Sequence, residues 1–325
     1  MSENKTNIQS TYKSADTEEW FDKVFNRPIG YMWARFFNRF GVHPNTVTIF
    51  SMILGATAGY MFHFDADTKT GFIYNVIAVL LLMWANFYDS ADGQLARMSG
   101  KKTALGRILD GASADIWYIP IYCAVAYRLQ DHNIPFTEIK WGIWGWLLAA
   151  YCGLGCHTPQ CRVSDYYRNI HLFFVNGKSG SEFDNSVQQR EKYDTMSWRK
   201  DFIYKFFQWF YKNYTYQQEK ATPNFQAFWK KTKEIYGTEI PQSLRDEFRA
   251  QSLPLMKYTN ILTFNCRAFA LYISALIDKP WLYLLFELIV LSLIYHYMHY
   301  QHEKMSQRLL IRLQTDAANL MKNEK

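Results

Sequence analysis

Four carboxylates, Asp89, Asp92, Asp110 and Asp115, fall in one run of the chain, DSADGQLARMSGKKTALGRILDGASAD, at the water edge of two apolar segments. Charge at a membrane boundary is costly, so acids gathered there point to function rather than to solvation. Asp89 and Asp92 are three residues apart and share one face of a helix. Asp110 follows across a short Gly-Lys-Lys-Thr turn that brings the chain back towards them. Carboxylates are the hard oxygen ligands that magnesium and manganese prefer, and three of them from two helices can converge on one or two such ions. Gly93, Ala96 and Gly106 lack bulk and let a ligand or a neighbouring backbone come close. Arg97 offers its cation either to an anionic ligand or to the membrane interface.

The elements that must position these acids read as membrane helices. An aromatic content of 18% with long uncharged runs places much of the chain in lipid. Six spans, each close to the roughly 20 residues a bilayer helix needs, are expected at 44–64, 71–90, 106–128, 141–161, 257–277 and 281–300. The expected fold is an all-α integral membrane protein with six transmembrane helices, an amino-terminal interfacial helix and a helical cytoplasmic insertion. Its segments are 1–43, interfacial; 44–161, spans one to four with the acids; 162–256, the insertion; 257–300, spans five and six; and 301–325, a tail. Lysine and arginine concentrate in the amino-terminal segment, the Gly-Lys-Lys-Thr turn, the insertion and the tail, whereas 64–70, 129–140 and 277–280 are short and poor in cations. That asymmetry places both termini and the acids on the cytoplasmic side. The net charge of +7 then reads as affinity for anionic lipid headgroups, with no nucleic-acid partner expected. The first 40 residues contain no apolar core of a cleaved signal peptide.

The spacing Asp89-x2-Asp92-Gly93-x2-Ala96-Arg97-x8-Gly106-x3-Asp110 resembles the signature of the CDP-alcohol phosphotransferases, integral membrane enzymes that make phospholipids from CDP-linked donors. Pro44-Asn45-x2-Thr48 resembles a stretch that the same family carries close to the nucleotide, so the resemblance covers both ends of the first 130 residues. It implies transfer of a phosphate-containing group from a CDP-linked donor to an alcohol or lipid acceptor, with release of CMP. It also implies two Mg2+ or Mn2+ ions on Asp89, Asp92, Asp110 and Asp115, and a cytidine and pyrophosphate pocket lined by Gly93, Ala96, Arg97 and Gly106, with Asn45 and Thr48 at its side. A homodimer is expected on the same ground. The pattern slips at its end, because the family places its fourth aspartate, the proposed general base, where this chain has Ala114. On an α-helix the residue four on lies about 40° from Asp110 and the residue five on about 140°. Asp115 therefore serves as base only if a π-bulge inserts one residue. Loss of the base, or help from Ser113, are the competing readings, with Asp110 catalytic in either case.

Substrate identity is less constrained. A basic surface and Arg267, beside Asn265, suit CDP-diacylglycerol with inositol, inositol phosphate or another polyol as acceptor. The alternative is a CDP-linked small alcohol with diacylglycerol or ceramide, and a non-catalytic CDP-lipid-binding or transport protein is the competitor of another class. Arg267 and Glu287 lie at similar depth in spans five and six, so they either pair with one another or leave Arg267 to hold the acceptor. The insertion is too long to be a passive connection. Residues 17–40 and 197–216 interleave aromatics with cations as interfacial helices do, the first interrupted by Pro28. Residues 222–237 read as a helix capped by Thr222, started by Pro223 and stopped by Gly237, followed by a short helix at 242–251. Residues 175–186 read as a loop. Cys152, Cys156, His157 and Cys161 have the ligand types of a soft-metal site but no standard zinc spacing.

Overall fold

The structure, a computed structural model, describes residues 14, 16–177, 183–237 and 239–323. Lys178–Glu182, within the expected 175–186 loop, lie outside them. Among the described residues regular structure is helical, apart from one isolated bridge between Asn133 and Lys140. In chain order the helices are α1 (Arg27–Arg39), α2 (Pro44–Met61), α3 (Lys69–Ser99), α4 (Ala104–Leu129), α5 (Gly142–Ala150), α6 (Thr158–Asn176) and α7 (Ser186–Thr195). They continue as α8 (Phe202–Ala221), α9 (Pro223–Tyr236), α10 (Gln242–Ser252), α11 (Met256–Ile261), α12 (Phe264–Leu276), α13 (Trp281–Leu285) and α14 (Ser292–Asn323). Three π-helical turns lie at Asp22–Asn26, Tyr151–His157 and Phe286–Leu291. The chain divides into two compact units, Met1–Pro159 with Thr263–Leu291, and Gln160–Leu262 with Ser292–Lys325.

In the first unit local chemistry starts and stops each helix. Pro28 lies within a continuous helical stretch from Trp20 to Arg39, just after the π-helical turn Asp22–Asn26, so the helix changes its hydrogen-bond register near the proline instead of breaking there. His43 Nδ1 accepts from the Asn45 amide at 3.2 Å at the head of α2. Thr68 caps α3, Gly100 ends it with φ 70°, and Thr103 Oγ1 accepts from Gly106 N at 2.9 Å to start α4. Gly55 and Gly59 of α2 let Trp117, Pro120 and Ile121 of α4 close against it, and Trp117 Nε1 donates to the Ser51 carbonyl at 3.1 Å. Around this contact Leu82, Trp117, Ile121, Leu271 and Tyr283 are buried in one apolar core. Ile53, Leu80, Ile119, Leu147 and Ile273 face outwards, each more than half exposed, as lipid-facing residues do.

Among the described residues two helices, Lys69–Ser99 and Trp281–Asp316, are long and apolar enough to cross a membrane. The other expected spans are helical but differ from the expectation in length or continuity. The first has 18 residues in α2, and the third, α4, carries the charges of the acid run. A π-helical turn interrupts the fourth. The fifth is broken at Leu262 and Thr263, which leaves α12 with 13 residues and places Arg267 in its first turn rather than mid-span.

The second unit contains the expected helices of the insertion as α8, α9 and α10. Thr222 precedes α9 but does not cap it, because its hydroxyl turns back to the Gln218 carbonyl at 3.0 Å. Glu303 of α14 takes that role: its carboxylate accepts from Asn224 N at 2.7 Å and Phe225 N at 3.4 Å, placing an anion at the positive end of the helix. Phe174, Phe225, Phe228 and Phe248 form the aromatic centre of this unit, with Phe174 and Phe248 stacked at 3.9 Å.

Candidate active site

Asp89 and Asp92 stand one turn apart near the end of α3, and the chain reverses through Gly100–Thr103 to bring Asp110, in the second turn of α4, beside them. Each of the three offers a carboxylate oxygen within 4.8 Å of the other two. Asp92 is buried, and Asp89 and Asp110 are half-buried. The Thr48 hydroxyl of α2 hydrogen-bonds Asp92 Oδ2. Ser113, one turn on from Asp110, donates to Asp89 Oδ1 at 2.7 Å and also lies 2.7 Å from the Asp110 carbonyl oxygen. Three carboxylates this close repel one another, and a divalent cation is what allows them to ionise together.

The surroundings fit an anionic ligand beside such an ion. Arg97 Nε and Nη2 are buried and have no hydrogen-bond partner, so two strong donors await an acceptor. A Cβ placed on Gly93 would meet only the Arg97 guanidinium, at 3.5 Å, and one on Gly111 would meet nothing within 4 Å. Both glycines thus border open space next to the acids. Ala96 is half-buried beside Arg97. Gly106 serves a different purpose: a Cβ there would come within 2.7 Å of Asn45 Oδ1 and 2.9 Å of Thr103 Oγ1, so its lack of a side chain lets α2 and α4 meet. Asn45 is accordingly held by its neighbours, its Oδ1 accepting from the Thr103 hydroxyl at 3.4 Å.

Asp115 stands apart from the three acids. α4 is α-helical from Ala104 to Leu129, so the π-bulge that would re-aim Asp115 is absent from it, and Asp115 is exposed. Arg27, from the amino-terminal segment, is a neighbour the sequence did not single out. Its Nε and Nη2 donate to Glu18 at 3.0 and 2.8 Å. Burial disfavours its charge, but Glu18, and with it Asp110, outweigh burial and raise its pKa. Nothing periodic links positions 18 and 27 to the acid run, so no local signal marks them.

Arg267 and Asn265 are engaged by other partners. Arg267 is fully buried and ion-paired with Glu287, itself fully buried. Glu287 also accepts from the hydroxyls of Tyr122 and, at 2.9 Å, Tyr283, while His157 Nδ1 lies 3.3 Å from Arg267 Nη1. Asn265 donates to Glu19 and Asp22, both at 2.9 Å, and so ties α12 to the amino-terminal segment. Of the two readings of Arg267, pairing with Glu287 is the one the geometry favours, and Asn265 is engaged by amino-terminal carboxylates. Among the described residues the three acids form the one group of metal-ligand type drawn together, and Cys152, Cys156, His157 and Cys161 do not form another.

Residues 41–154, which contain α2, the acids and α4, match the family model described as CDP-alcohol phosphatidyltransferase. Over that segment, about a third of its length, the chain is similar to the transferases of that family. No curated protein and no solved structure matches it significantly. That family is integral to membranes and works on a CDP-alcohol donor and an alcohol acceptor with divalent cations, and the acid cluster here is of the kind that could hold them. The matched segment ends at residue 154, so α1 and helices α6 to α14 lie outside it.

Proposed function

We propose that the transferase moves a phosphate-containing group from a CDP-linked donor to an uncharged alcohol and releases CMP on the cytoplasmic side, where the lysine and arginine distribution puts both termini and the acids. The observation that carries this reading is the cluster of Asp89, Asp92 and Asp110 beside an Arg97 guanidinium with two unpartnered donors. The three acids would hold one or two divalent ions, Mg2+ or Mn2+, which neutralise pyrophosphate charge. Arg97 donates its two N–H groups to pyrophosphate oxygens, and Gly93 leaves room for the nucleotide to approach. Thr48 fixes the Asp92 carboxylate, and Ser113 fixes Asp89. The acceptor oxygen attacks the phosphorus that bears the donor's alcohol. The bond to the nucleotide breaks, CMP leaves with its electron pair, and the hydroxyl proton passes to a carboxylate. Of the two aspartates considered for that proton, Asp110 lies in the cluster and borders the open space at Gly111, whereas Asp115 does not, which favours Asp110.

The acceptor reading rests on charge. Arg27 is matched by Glu18, Arg128 by Asp278 and Arg267 by Glu287, so none of these three waits for a second phosphate. Inositol phosphate thereby loses the arginine that the sequence offered it. Two pairs with a neutral acceptor remain: CDP-diacylglycerol with inositol or another polyol, and a CDP-linked small alcohol with diacylglycerol or ceramide. The pairing of Arg267 removes the main reason to prefer a soluble acceptor and so favours the second pair more than the sequence did. Purified transferase in lipid nanodiscs, given each donor with each acceptor, should release labelled CMP with one pair only, and EDTA should stop it. Tight binding of a CDP-lipid with no CMP release from any pair would overturn turnover and leave a binding protein.

A further inference from the structure

Helix α8 is amphipathic the wrong way round for a helix that meets water. Its buried residues are polar: Gln208, Thr215 and Gln218. Gln208 Nε2 donates to the Gln189 backbone and side-chain carbonyls at 3.1 and 2.9 Å, and Gln218 Nε2 to the Arg162 carbonyl at 3.1 Å. The Tyr211 hydroxyl donates to Asp184 at 2.6 Å. Its outward face carries Phe202, Phe206, Trp209, Phe210 and Tyr216, exposed by 62, 44, 44, 50 and 49%. Steps of three and four residues put these rings in one stripe. A contiguous apolar stripe of this kind on a polar-backed helix marks a surface that is covered in use.

The charge around the stripe says by what. Lys205 and Lys212, seven residues apart, run along one edge, with ammonium groups 4.5 and 3.7 Å from the centre of the Tyr193 ring. Arg199 and Lys200 precede the helix, and Lys220 stands at its end. Tryptophan and tyrosine favour the boundary between headgroups and acyl chains, and cations beside them meet lipid phosphates. A second copy seated on the same face would bring these lysines against their own equivalents, which like-charge repulsion opposes. We propose that α8 is a lipid-surface site that lays its aromatic stripe into the headgroup boundary of an anionic leaflet, with Lys205 and Lys212 on the phosphates. This holds whichever donor and acceptor the transferase uses.

The test uses full-length protein in nanodiscs of neutral or anionic lipid, with the Trp209 signal taken as the difference between the parent and Trp209→Phe. Lipids brominated near the headgroup should remove at least half of that signal, and aqueous iodide should remove little. Lys205→Gln with Lys212→Gln should weaken the lipid quenching in anionic discs and leave it unchanged in neutral ones. Phe206→Gln with Phe210→Gln, at exposed positions, should keep CMP release while raising iodide access severalfold. A Trp209 signal quenched by iodide and untouched by brominated lipid would overturn the proposal, as would cross-linking of α8 to a second copy in place of lipid quenching.

Discussion

Removing the charge from either member of the Arg267–Glu287 pair should damage the fold unequally, and the inequality follows from chemistry rather than from contact number. Both side chains are fully buried, so neither can recover its lost partner with water. Breaking a buried ion pair by removing one partner costs about 3–5 kcal/mol, a large part of the roughly 5–15 kcal/mol that holds a typical domain together. Glu287→Gln leaves a guanidinium that cannot shed its proton, and so belongs at the upper end of that range. Arg267→Gln leaves a carboxylate that can take up a proton and still accept from Tyr122 and Tyr283, which places it at the lower end. The double change removes both charges and should cost less than Glu287→Gln alone, a non-additivity of a few kcal/mol for residues in direct contact. Reversible unfolding of the four proteins in mixed micelles measures these differences, and acceptor KM measured on each while folded should stay within about twofold of the parent. Equal, additive losses below about 1 kcal/mol would refute the buried-pair reasoning. A KM for the alcohol that rises severalfold with Arg267→Gln, and is not repaired by Glu287→Gln, would return Arg267 to the acceptor.

Asp89→Asn, Asp92→Asn and Asp110→Asn should each abolish CMP release and weaken metal-dependent donor binding, whereas Asp115→Asn should leave kcat within about threefold. The reverse ranking of Asp110 and Asp115, read in steady-state assays, would restore Asp115 as base. Gly93→Ala should fold normally but bind donor poorly, since its Cβ has room in the protein, while Gly106→Ala should lower the unfolding temperature because Asn45 and Thr103 must give way. Thr48→Val removes the hydroxyl that donates to the buried Asp92 carboxylate and should cost about 1–3 kcal/mol, checked by unfolding in the absence of metal. Asp278, half-exposed in the connection before α13, is pushed up by burial but held below the usual carboxylate range by its hydrogen bonds to Arg128 and Ala66 N. A depressed folded-state pKa contributes stability that is complete above the ordinary value of about 4 and fades as pH falls through the lower one. Asp278→Asn, which also tolerates the left-handed backbone with φ 59°, should therefore flatten the acid limb of the stability curve below about pH 4.

The acids converge as their spacing implies because each step is local: i and i+3 on α3, a four-residue turn opened by a left-handed glycine and closed by a threonine cap, and a short climb up α4. The same locality made the insertion helices legible, since proline starts, glycine stops and aromatic stripes act over a few residues. Asp115 shows the limit of that reasoning. Whether a helix hides an extra residue depends on what packs against it, and the three π-helical turns lie in other helices, two of them at the buried cluster of His157 and Glu287.

What sequence alone determined here is a helical chain of a membrane transferase family with a cluster of acids of metal-ligand type, because helix periodicity, apolar length and a spaced signature are properties of neighbouring residues. Tertiary structure decided which charges are available for chemistry. Arg267 and Arg97 look alike as lone arginines among apolar residues, yet one is matched by a glutamate 20 residues away and the other keeps two unpartnered donors beside the acids. Glu303 caps a helix through the Asn224 amide, 79 residues earlier in the chain, and Glu18 neutralises an arginine next to Asp110. Pairings of this kind leave no trace in local pattern, because the energy of a charge is set by whatever the fold brings within a few ångströms of it.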